Sequence, residues 1–458
     1  MLNASPPHPA PPDPEIGALL RMWRDPLKVS TQLTREYGDV VRLNLGLGQV
    51  FLISHPDHAQ YILRDHATNF TKHGGMWDAL RLLGGDGVGN TDGDVWLRQR
   101  RMMQPLFLRE RLANLTPLMT AAIAESLPPW YAAAAEAKPF DLARAMDRVT
   151  MHLILRTICS ADIGDHEIEE MSEAVACAFR YIWIRMWTYF LPEWLPLPGK
   201  SAFREALSSV DRIVYGIVRR RRRHPDAAND LLSMLFSARD EITGQGMSDR
   251  QVRDEVVGFY VAGYETTATA LTWCLYLLCQ SPAAERKVRD EIHTVLEGRT
   301  PEYADLGRLT YTRMVFQEAL RLYPPGWIIP RRTMQDDEIG GVHIPKNSVV
   351  ALHFYAIQRH PKIWSHPDAF EPERFASEIN EANCRRAYLP FGAGAHQCIG
   401  SRFAMMEGQL ALAMLLQRFR FQLCSGHKVE LDQMLVLRSR TGIMASLRPL
   451  HKQQEENP

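Results

Sequence analysis

The sequence predicts an α+β fold that is mostly α-helical with small peripheral sheets, and three patterns predict it. Over residues 56 to 322, apolar side chains recur at three- and four-residue spacing, the period of helices that bury one face, with breaks at Gly84-Gly85, 192–199 and 244–246. Period-two alternation is confined to the ends: residues 40–54, around Gly46 and Gly48, read as a hairpin, and strand signals return at 342–351 and 429–447. Between those two, residues 360–391 are extended and proline-punctuated. A loop of that length is functional or disordered, and its Trp364, Phe370, Phe375, Tyr388 and Phe391 argue against disorder. With no repeat or linker in view, one domain is expected over 15–450, between a disordered proline-rich lead (1–14) and a tail (451–458).

Composition narrows the class of activity. Of the 458 residues, 46% are hydrophobic and 53 Lys+Arg balance 53 Asp+Glu, an ordinary globular chain without the cationic excess that phosphate neutralisation requires, so no nucleic acid is expected as a partner. The seven cysteines (Cys159, Cys177, Cys274, Cys279, Cys384, Cys398, Cys424) show no C-x-x-C spacing and read as thiols of a reducing cytoplasm. No apolar run at the start reads as a signal peptide, and the most apolar stretch, 174–198, is broken by Arg180 and Arg185, so no membrane anchor is expected. The run of arginines at 219–223 precedes His224-Pro225 and reads as a solvated helix end.

One segment carries chemistry most sharply. Phe391-Gly392-Ala393-Gly394-Ala395-His396-Gln397-Cys398-Ile399-Gly400 leads into an apolar-periodic stretch from 401 to 416, so a glycine-rich loop delivers a cysteine to a helix start. Glycines let backbone N–H groups approach the sulfur and the helix dipole favours a thiolate, both of which tune a sulfur bound to iron. A lone cysteine before a helix is ordinarily a small buried hydrophobe. Here the pattern F-x-x-G-x-x-x-C-x-G, with Phe403-Ala404 and Glu407 after it, resembles the haem-binding signature of the cytochrome P450 family, and further motifs of that family follow in order from about Asp39 onward. The resemblance implies the P450 fold with a long central helix over a haem b, ligated by Cys398, with Phe391 opening its loop.

Glu318-Ala319-Leu320-Arg321 places an acid and an arginine on one helix face; alone, such a pair is most often a surface ion pair. The resemblance implies a buried network of Glu318, Arg321 and Arg374, the last from Pro372-Glu373-Arg374-Phe375, which locks the irregular stretch. Ala262-Gly263-Tyr264-Glu265-Thr266-Thr267 sits inside a helical pattern from 248 to 278 that is apolar almost all round, so its acid and threonines are expected to be buried. This string resembles the family's acid-alcohol pair, which implies that Thr266 and Glu265 manage protons at iron-bound oxygen. By the same resemblance Trp96, Arg100, Arg331 and His396 are haem-propionate contacts, although sequence does not separate Arg331 from Arg332.

About 60 residues follow Cys398, too few for a fused reductase domain, so a separate ferredoxin or flavodoxin with its NAD(P)H reductase is expected. Arg98, Arg101, Arg109 and Arg111 offer a docking face, or simply a solvated basic helix. Resemblance places the substrate against Met76, Leu80, Trp183, Trp187, Val257, Val261, Ala262, Ile328 and Thr441, a lining that favours a lipophilic ligand such as a fatty acid, terpenoid or polyketide-like molecule. The expected activity is O2-dependent hydroxylation or epoxidation. Oxidative ring formation, coupling or desaturation on the same fold, and a non-catalytic haem sensor or carrier, are the alternatives.

Overall fold

The structure, a computed structural model, describes residues 21–450 except 45–48, 137, 161–162, 193, 225–229 and 377–381. The lead at 1–14, the tail at 451–458 and the turn glycines Gly46 and Gly48 lie outside the described residues. Twelve strands are seen among them: β1 Val40–Asn44, β2 Gln49–Ile53, β3 Phe70–Thr71, β4 Phe140–Asp141, β5 Ile329–Thr333, β6 Asp337–Ile339, β7 Val342–Ile344, β8 Val349–Leu352, β9 Phe419–Leu423, β10 Leu431–Gln433, β11 Leu437–Ser439 and β12 Met444–Pro449. They form small sheets: β1-β2-β8-β5-β3, β4-β12-β9, and the pairs β6-β7 and β10-β11. The β1-β2 pair is antiparallel with Val41 opposite Leu52, as alternation implies. Strands β5 and β9 lie outside the stretches expected to be strands: β9, Phe-Arg-Phe-Gln-Leu, alternates over only five residues directly after a helix, and β5 holds the sequence Ile-Pro-Arg-Arg-Thr, whose paired arginines hide its period.

The helices that build the site are α1 Gly75–Gly84, α2 Gly93–Met103, α3 Leu142–Cys159, α4 Asp165–Trp187, α5 Lys200–Arg223, α6 Asp249–Gln280, α7 Thr310–Leu322 and α8 Ser401–Arg418. Central α6 runs for 32 residues from a capping box in which the Ser248 hydroxyl accepts from Gln251 N–H and the Gln251 side chain accepts from Ser248 N–H. It packs against α3, α5, α7 and α8, which explains its lack of a polar face. Gly263 is what lets α3 come so near: a Cβ there would stand 2.8 Å from Ile154 Cδ1. Among the described residues, no helix is long and apolar enough to cross a membrane.

The arginine run ending α5 is not wholly solvated. Arg221 is 1% exposed and holds Asp230 through two hydrogen bonds of 2.6 Å, because one position of the run falls on the buried face of an amphipathic helix.

Candidate active site

The cysteine loop is shaped by its glycines. Cys398 N–H donates to Phe391 O (2.9 Å) and Gln397 N–H to Gly394 O (3.1 Å), closing two turns whose Gly392 and Gly394 both take φ of +70°. A Cβ on Gly394 would stand 2.0 Å from Leu63 O, so only glycine lets the loop lie on the chain there. Arg100 on α2 donates to Gln397 O (2.9 Å) and fixes the loop from the other side. Cys398 thus meets the first turn of α8, where Ala404 N–H donates to Gly400 O. Burial pushes its thiol above the ordinary value, while Gly400 N–H and the Arg100 guanidinium pull it back down.

Cys398 is surrounded by protein yet accessible, so it faces an internal space rather than solvent. The same signature appears midway along α6, where Ala262 is exposed and Thr266 half-buried on a helix otherwise packed all round. The two lie one turn apart, and the Thr266 hydroxyl donates to Ala262 O (2.6 Å) without breaking the helix. Val257 is 0% exposed in the helical core, about 140° around the helix from Ala262 at 100° per residue. Val261 is half-buried on the open side.

Glu265 occupies the neighbouring stripe of α6. It is 7% exposed, and burial raises its carboxyl to about 7, with Arg438 opposing the rise and Asp147 and Asp432 adding to it. Arg438, on β11, donates to Glu265 Oε1 at 3.3 Å and to Asp432 at 3.2 Å. Burial also lifts Asp147 on α3, to about 6. These groups line a polar cavity of about 300 Å³ with Thr269 and Thr441. Thr441 therefore belongs beside the carboxylate cluster, its hydroxyl given to Lys428 O. Neither Arg438 nor Asp147 is flagged by the sequence, since nothing local ties them to a helix more than a hundred residues away.

A second cluster is cationic. Arg331 is 6% exposed and burial lowers it to about 10, whereas Arg332 points to the opposite face of β5. Lys72, not anticipated from sequence, is buried and lowered to about 7, chiefly by burial and then by Arg331; its ammonium donates to the carbonyls of Val88, Gly89 and Thr91. His396 stacks on Trp96 at 4.0 Å and is pushed down to about 3, first by burial and then by Lys72, Arg331 and Arg100. Its 3.4 Å approach to Asp92 is therefore a neutral imidazole facing a carboxylate, not an ion pair, and its Nδ1 is buried without a partner. Lys72, Arg331 and Arg100 all act on one another or on His396, and Asp92 is the carboxylate opposite Lys72, Arg331 and His396; such a cationic cluster with an unsatisfied imidazole fits the two propionates of a haem.

Glu318, Arg321 and Arg374 are brought together. Arg321 grips Glu318 with two hydrogen bonds of 2.7 and 2.8 Å, both side chains 0% exposed, and gives its other N–H groups to the carbonyls of Gln358, Pro367 and Ala369. Arg374 completes it at 3.3 Å from Glu318, with Glu371 N–H donating to the same carboxylate oxygen (3.0 Å).

Of the remaining candidates, Met76 and Leu80 are half-buried on α1, which packs on α4. Trp183 meets Trp187 edge-on at 5.9 Å, and Trp187 and Ile328 pack together with Met22 and Val41. The proposed docking arginines are partly engaged: Arg101 pairs with Asp240 (3.2 Å), Arg98 donates to Gly246 O, and Arg109 lies over the Tyr303 ring.

The family model for cytochrome P450 matches residues 6–446. Cyclooctatin synthase of Streptomyces melanosporofaciens is 35% identical over 419 residues, 91% of this chain and 90% of that protein. Pentalenene oxygenase of Streptomyces avermitilis is 30% identical over 407 residues, 89% of each chain. Among solved structures, the heme domain of cytochrome P450DA superposes with a TM-score of 0.88 at 26% identity, covering 97% of this chain and 98% of that one. Thiol loop, central helix, buried ion network and cationic cluster thus stand in a chain that belongs to the cytochrome P450 family.

Proposed function

We propose that this P450 monooxygenase hydroxylates or epoxidises a terpenoid-like lipophilic molecule, with a haem b that the Cys398 thiolate would hold and electrons delivered by a separate ferredoxin or flavodoxin. The enclosed but accessible Cys398 thiol, set on two glycine turns and steadied by Arg100, carries the reading. Bound haem supplies the redox chemistry: one atom of O2 enters the substrate and the other leaves as water, for two electrons and two protons. The chain's own residues do the rest. Lys72, Arg100, Arg331 and His396 would hold its propionates. Thr266 presents a hydroxyl on the open side of α6, and Glu265, near neutrality in its affinity for protons, passes them inward from the polar cavity that it shares with Arg438 and Asp147. Relatives named cyclooctatin synthase and pentalenene oxygenase, and the apolar and aromatic side chains of Leu80, Val261, Trp183 and Ile328, support this substrate class.

The test is the absorption spectrum of reduced, carbon monoxide-treated protein beside Cys398→Ala. A Soret band diagnostic of thiolate ligation, lost in the variant, is expected; a histidine-type band in the wild type overturns the ligand and the roles built on it.

A further inference from the structure

We propose that Asp39, His55 and His360 form a binding site for a divalent cation of the zinc class, remote from the chemistry of Cys398 and acting as a structural staple. Asp39 immediately precedes β1, His55 follows β2 at the start of the short helix Pro56–Gln60, and His360 lies in the irregular stretch that leads to Cys398. One side-chain donor atom from each lies within 4.8 Å of the other two, the one such group found among the described residues.

The imidazoles converge as ligands do. The His55 and His360 rings stand 5.0 Å apart, centre to centre, at 83°. With metal–nitrogen distances of about 2.0–2.1 Å, two imidazoles meeting one ion tetrahedrally have centres about 5 Å apart. His360 Nε2 already lies 3.1 Å from Asp39 Oδ1, and that hydrogen bond alone leaves the cluster unsatisfied. His360 is 6% exposed with its Nδ1 buried and unpartnered, and the same is true of Nδ1 of His58, whose ring centre is 5.2 Å from that of His55.

His55 Nδ1 accepts Asp57 N–H at 3.2 Å, which leaves the ring proton on Nε2; to ligate through Nε2 the ring would shift that proton to Nδ1, which stands 3.9 Å from the Asp57 carboxylate, the outer group that would then orient it. Asp57 is itself held by Arg386 at 2.8 Å. Lys362 is the opposing cation, close enough to act on Asp39 and His55. Two imidazoles, one carboxylate and a solvent-facing fourth position suit zinc and its neighbours, and do not suit magnesium or calcium, which take oxygen shells. An ion there would tie the β1-β2 hairpin to the segment that carries the thiolate loop.

The experiment uses tag-free, haem-loaded protein, so that Cys398 is occupied, stripped with a chelator and titrated calorimetrically with zinc chloride, with metal analysis after gel filtration. Expected are one zinc per chain, at least tenfold weaker binding in each of Asp39→Asn, His360→Gln and the partly exposed His55→Gln, and a thermal midpoint raised by about 3 °C at a hundredfold excess over Kd. Haem content and carbon monoxide spectrum report folding of each variant independently of zinc. Absence of a stoichiometric site, binding unchanged in the folded variants, or sulfur in the zinc absorption fine structure each overturns the proposal.

Discussion

The Arg438 guanidinium donates to the Glu265 carboxylate across 3.3 Å, joining the last hairpin to the middle of the central helix. Burial raises Glu265 from its ordinary 4.5 to about 7, so between those values the folded chain holds a proton that the unfolded chain has lost. Its contribution to stability therefore falls as pH rises through that window and levels off above it. Glu265→Gln should gain on the wild type between pH 5 and 8 by on the order of 3 kcal/mol, read from urea unfolding at each pH. Arg438→Gln removes the cation that favours the carboxylate and should move the wild-type fall to higher pH. Parallel curves for all three proteins would show that Glu265 does not titrate there.

Thr266→Ala should keep the fold and the haem, since its hydroxyl bonds only to Ala262 O. Reducing equivalents should be diverted several-fold from product to hydrogen peroxide, measured as the ratio of product to NAD(P)H consumed with a surrogate redox pair. Unchanged coupling removes Thr266 from proton handling.

Arg321→Ala takes both of its hydrogen bonds from the fully buried Glu318 carboxyl and frees three backbone carbonyls. A loss of about 3–5 kcal/mol is expected, together with poor haem incorporation, checked by denaturant titration and pyridine haemochrome assay. Loss of haem with stability intact would assign the network a more local role.

Gly394→Ala meets both a φ of +70° and Leu63 O at 2.0 Å. A cost above about 2 kcal/mol is expected, with the thiolate band weakened; Gly426→Ala, also at positive φ but in open space, should cost about 1 kcal/mol and leave the band alone.

Features with local signatures were legible in the sequence. The Cys398 loop, the Glu318-Arg321 spacing and the Glu265-Thr266 step each occupy one short segment, and long helices such as α6 announce themselves by period. Features made by chain crossings were not. Lys72 meets Arg331 and His396 only after β3 pairs with β5, and Arg438 finds Glu265 only through the β10-β11 hairpin. Arg221 shows the opposite failure: a run of five like side chains conceals which one turns inward, because composition carries no helical phase.

The Glu318-Arg321 clamp also has a timetable. Arg374 follows Arg321 by 53 positions, so on a chain emerging at about 5–20 residues per second the pair waits roughly 3 to 10 seconds for its last partner. During that interval α7 presents a charged, half-satisfied anchor rather than an apolar one. The carbonyls that Arg321 holds emerge in the order Gln358, Pro367, Ala369, all before the thiolate loop that the stretch leads into, so the clamp can be complete before Cys398 leaves the ribosome.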